Sequence, residues 1–70
     1  TSVYLKRQRG RELSRVVELK RKLLIERWED EGESPRFFHR LFSEIAAARA
    51  AYFKRVAELE RRDYMDASQS

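Results

Sequence analysis

Cysteine is absent from the 70 residues, so neither a disulfide nor a thiolate metal site can staple the chain. A domain of this length buries only about 60% of the surface its unfolded chain exposes, so without such help its stability is marginal. Two glycines and one proline leave little material for a turn-rich β fold. No apolar run approaches the ~18–20 residues a membrane span needs, and no signal-peptide pattern is visible. Internal repeats and low-complexity tracts are missing as well. His39 is the single histidine, and without a second histidine or a cysteine a zinc site would need carboxylates for its other ligands. No metal or cofactor is therefore expected. There is no glycine-rich phosphate loop and no nucleophile–base pair with an orienting third group. Neither an enzyme nor a small-molecule substrate is expected. The chain starts at Thr1 rather than Met, which reads as a piece of a larger regulatory or scaffold protein.

What the chain does contain is charge and apolar side chains in nearly equal shares, 40% and 41%. That balance suits an amphipathic helical chain better than a disordered one. Leu13, Val16, Val17, Leu23, Leu24 and Trp28 fall on one helical arc. Phe38, Ile45, Tyr52 and Leu59 are spaced by seven, with Leu41, Phe42, Ala48 and Val56 between them, as in a coiled-coil seam. Between the two patterns, Gly32 reads as a helix stop, and Ser34-Pro35 as a helix start. The expected fold is all-α, an antiparallel two-helix hairpin with helix 1 over about 3–30, a loop over 31–34, helix 2 over about 35–66 and a frayed tail over 67–70. Gly10 leaves open whether helix 1 begins before or after it.

A two-helix hairpin leaves one flank of each apolar stripe open. It is expected to complete a four-helix bundle, by homodimerisation or by docking on another protein. The residues expected at that protein interface are Leu13, Val17, Leu24, Trp28, Phe37, Phe38, Phe42, Ile45, Tyr52, Phe53 and Val56. Lys20, Arg27 and Arg49 interrupt the seams. They would either reach water along their stems or fix register by pairing with acids such as Glu60 or Asp63.

The charges are uneven. Residues 1–27 carry nine lysines and arginines against three acids, whereas Glu29, Asp30, Glu31 and Glu33 crowd one short stretch. That stretch reads as a solvated tip or a docking patch for a basic partner, with nothing to bury one acid for general acid/base work. On the expected helix 1, Arg7, Arg11, Arg15 and Lys22 form a basic stripe whose repulsions no helix needs, so nucleic-acid backbone contact is the alternative function. Lys6-Arg7-Gln8-Arg9 with Lys20-Arg21-Lys22 resembles a two-part nuclear-import signal, which leans toward a nuclear rather than cytoplasmic intracellular protein. Tyr64, between Asp63 and Asp66, is a generic phosphorylation candidate. The leading expectation is a non-enzymatic protein–protein interaction and oligomerisation module.

Overall fold

The computed structural model describes residues 1–68 and overturns the helical hairpin. The chain forms β1 (Ser2–Gln8), β2 (Arg11–Lys20), β3 (Leu23–Trp28), β4 (Arg36–Leu41), α1 (Ile45–Arg61) and β5 (Met65–Asp66). All pairings are antiparallel, in the order β4-β3-β2-β1-β5. Helix 1, expected over 3–30, is three strands. Helix 2, expected over 35–66, is a strand, a 17-residue helix and a short return strand. Neither a coiled coil nor half of a four-helix bundle is present among the described residues.

The strands follow from an alternation partly hidden by two charged residues. Leu13, Arg15, Val17 and Leu19 point to one face of β2; Ser14, Val16 and Glu18 point to the other. Carried across the register, the first face takes Tyr4, Leu24, Glu26, Trp28 and Phe38. The helix packs on this face, chiefly over β2 and β3. Tyr4, Val17 and Leu59 form the sealed centre, with Leu24, Tyr52, Val56 and Tyr64 against them. Burying one such side chain stabilises by about 1.5–3 kcal/mol. Among the described residues, Ala48 is the only other fully covered apolar one.

Tight turns replace the expected helix breaks. Arg9 (φ 53°) and Gly10 (φ 76°) form a two-residue hairpin turn, with the positive φ at both centres that strand twist favours. Arg21 (φ 56°) and Lys22 make the second hairpin turn with no glycine to signal it. Gly32 (φ 83°) does not end a helix. It is the third residue of a turn closed by the Glu33 N–H on the Asp30 carbonyl at 3.0 Å. Ser34-Pro35 leads into β4 rather than a helix. The helix starts later, after Glu44, with no side-chain cap. It ends in a Schellman motif: Asp63 takes φ 67°, and the N–H groups of Asp63 and Tyr64 return to the carbonyls of Glu60 and Leu59. Of the expected frayed tail, Ala67 and Ser68 are held on β1, through Ala67 N–H to the Val3 carbonyl and Val3 N–H to Ser68 Oγ. Residues 69 and 70 lie outside the described residues.

Candidate interaction surfaces

Most of the expected interface residues serve the chain's own core. Val17 is sealed, and Leu24, Tyr52 and Val56 pack against the same centre. Leu13 is half-buried on the helix-covered face. Tyr52 also shares a hydrogen bond with the Ser2 hydroxyl. Trp28 lies 4.9 Å from Phe38, ring centre to ring centre. Phe42 follows β4 and sits 4.5 Å beneath the Arg40 guanidinium. Four of the expected residues stay exposed: Phe37, Phe38, Ile45 and Phe53. Phe53 is on the outer side of the helix, edge-on to Tyr52.

The expected basic stripe is dispersed. Arg15 is 7% exposed, inside the fold. Its guanidinium stacks 4.1 Å over Trp28, with the Tyr64 ring 5.4 Å away, and Nη1 donates to Asp30 Oδ1 at 2.5 Å. Arg11 pairs with Glu33. Arg7 lies on the opposite sheet face, and Lys22 is at the far end, in the β2–β3 turn. Other bases gather at that end of the sheet: Arg21 and Lys22 in the turn, Lys20 on the far face and Arg40 on the helix-covered face. Among the described residues, Arg21, Lys22 and Arg40 have no ion-pair partner, and Lys20 reaches Glu18 only at 3.9 Å.

The acidic stretch is absorbed by the fold. Asp30 holds Arg15, Glu33 holds Arg11, Glu29 holds Arg27, and Glu31 Oε1 accepts the Glu12 N–H at 3.0 Å. Together with Arg7 and Pro35 they line an open basin of about 430 Å³. Among the described residues, no cluster of three or more His, Asp or Glu side chains is placed to hold a metal. Neither Lys20 nor Arg27 nor Arg49 reaches Glu60 or Asp63. Glu60 instead accepts the Tyr4 hydroxyl at 3.2 Å. Burial, and then that carboxylate, push the Tyr4 phenol up to about 12. Glu26 grips Arg55 of the helix through two hydrogen bonds of 2.7 Å and accepts Trp28 Nε1 at 2.6 Å. This hydrogen bonding holds the Arg55 guanidinium above its ordinary value.

The sequence reading missed the other side of the sheet. Leu5, Val16, Ile25, Phe37, Leu41 and Met65 lie on the face away from the helix, and no described element packs there. Phe37 is 60% exposed, and Leu41 and Met65 are each 75% exposed. Beside this row runs the free edge of β4, every residue of which is exposed. The signal was available: Phe37, His39 and Leu41 alternate with Arg36, Phe38 and Arg40. No helix among the described residues is long and apolar enough to cross a membrane. No protein-family model, curated protein sequence or solved structure matches the chain.

Proposed function

We propose that this chain is a non-enzymatic association module that joins protein chains along the β4 rim of its sheet. The observation that carries the reading is the uncovered far face, with Phe37 and Leu41 exposed beside an unpaired strand edge. A soluble monomer rarely leaves exposed large apolar side chains such as Phe37 and Leu41 next to open backbone donors and acceptors, because that combination templates pairing with another chain. The small core points the same way. Among the described residues only Tyr4, Val17, Ala48 and Leu59 are sealed apolar ones, so covering the rim would add stability that the monomer lacks.

The test is solution mass by light scattering, for the wild type and for Leu41→Lys. Leu41 is exposed and touches nothing in the helix-covered core, so the variant keeps its fold. An assembly that Leu41→Lys reduces to monomer supports the reading. A wild type that is monomeric throughout, or an assembly indifferent to the substitution, refutes it.

The bases at one end of the sheet, Lys20, Arg21, Lys22 and Arg40, favour a second reading, contact with a nucleic-acid backbone. These bases are exposed at one end of the sheet and mostly free of acids. Binding of this kind weakens steeply with salt, because each neutralised phosphate releases counterions. Under this reading a short duplex raises the mass at low salt only, and Arg21→Glu with Lys22→Glu abolishes the increase. A mass indifferent to duplex at low salt rules it out.

A further inference from the structure

The backbone of β4 specifies its own complement. The Phe42 N–H donates to the Lys22 carbonyl at 2.8 Å, and that pair belongs to the same register that sets Arg40 opposite Leu24, Phe38 opposite Glu26 and Arg36 opposite Trp28. In an antiparallel ladder, residues that exchange hydrogen bonds alternate with residues that do not. Residues 36, 38 and 40 therefore spend their backbone groups on β3. Phe37, His39 and Leu41 turn their N–H and C=O groups outward, to the free edge.

A second copy related by a two-fold axis perpendicular to the sheet can meet this edge in few ways. Directly opposed residues must share a sheet face, so each β4 residue meets one of the same parity. Two registers keep most of the strand paired. Centring on Phe38 sets Arg36 against Arg40, like charges in direct opposition, and Leu41 against Pro35, which has no N–H to donate. Centring on His39 sets Phe37 against Leu41 and Phe38 against Arg40. Phe37, His39 and Leu41 then exchange both of their outward hydrogen bonds, with none left over. The first pair joins apolar neighbours on the far face. The second sets a guanidinium beside a ring.

We infer that two copies pair antiparallel through β4, centred on His39, into one continuous sheet. This rests on the association reading above and supplies its partner and register. The two imidazoles face each other across the axis at a Cα separation of about 5.5 Å. On the far face each has Phe37 and Leu41 along its own strand. From β3 it has Ile25 opposite and Leu23 and Arg27 on the diagonals, with Arg27 held by Glu29. Glu18 of β2 lies beyond Ile25. No acid stands next to the pair.

The deciding variants are His39→Pro, His39→Cys and Phe38→Cys. His39→Pro removes an outward N–H along with the imidazole and breaks no bond to β3, and an edge strand tolerates proline at such a position. The chain has no cysteine of its own, so a single introduced thiol reports the axis. The expected results are a wild-type mass twice the 8.4 kDa of the chain and a monomeric His39→Pro with an unchanged circular dichroism spectrum. Under copper–phenanthroline oxidation His39→Cys forms a covalent dimer, and Phe38→Cys does not. A dimeric wild type in which Phe38→Cys links and His39→Cys does not overturns this register and leaves the association module standing. A monomeric wild type with no crosslink overturns both. Should His39→Pro fail to fold, the two cysteine variants decide alone.

Discussion

At the scale of single residues, Arg15 and Tyr4 show why a charge pattern misleads. Both lie on the face the helix covers, opposite one another on β1 and β2. Arg15 reads in the sequence as one more surface base, yet its side chain is 9% exposed and its partner Asp30 13% exposed. Removing one member of such a pair strands the other, so Arg15→Ala should cost about 3 kcal/mol in urea unfolding. Asp30→Ala should cost much less in that background than alone, which a double-mutant cycle measures. Tyr4 makes a prediction about pH. Its folded value is raised to about 12, so folding favours the protonated phenol. That contribution is complete below the ordinary tyrosine value of about 10 and is lost as pH rises from there toward about 12. Thermal unfolding should show a stability loss across this window that is smaller in Tyr4→Phe. Nothing in the sequence marks Tyr4 or Arg15 as interior, because each is identified only by what lies opposite it.

At the scale of elements, helix and strand periodicities coincide in a chain this short. Val16 and Val17, and likewise Leu23, Leu24 and Ile25, are consecutive apolar residues that populate both faces of a strand. All but Ile25 also fall on one helical arc when read at 100° per residue. The far face of the sheet is itself partly apolar, with Val16, Leu23 and Ile25 on it, which removes the clean alternation that identifies a strand. Leu41 and Phe42 continue the seven-residue spacing upstream of α1, although they lie in β4 and the link beyond it. The helix was legible where its pattern is long: Ala48, Tyr52, Val56 and Leu59 do share the inner face. Its C-terminus was not, because the left-handed position is held by Asp63 instead of glycine. Asp63→Gly should therefore raise stability by up to about 1 kcal/mol, and Asp63→Val should lower it, in parallel thermal melts.

At the scale of the whole molecule, the expectation of association survives as a proposal on a different surface. The sequence leaves more apolar side chains than one fold of this size can enclose, and that surplus is visible without any structure. Which residues form it depends on pairing: Leu13, Val17 and Leu24 turn inward, whereas Phe37 and Leu41 stay outside. If association is coupled to folding, Tm rises with protein concentration in the wild type and is independent of it in His39→Pro. Scanning calorimetry over a dilution series checks this.

The two rims of the sheet are unequal. β4 offers a free edge six residues long, with the backbone of three of them turned outward, whereas at the other rim β5 is two residues long. An assembly that grew by laying the β4 of one molecule on the β5 of the next would find no length to hold. Each molecule therefore has one long open margin and one blunt one, and the proposed pairing of two β4 edges would use up both long margins. In the proposed dimer the brevity of β5 would act as a stop rule: pairing through β4 would end at two chains instead of running on into a fibre.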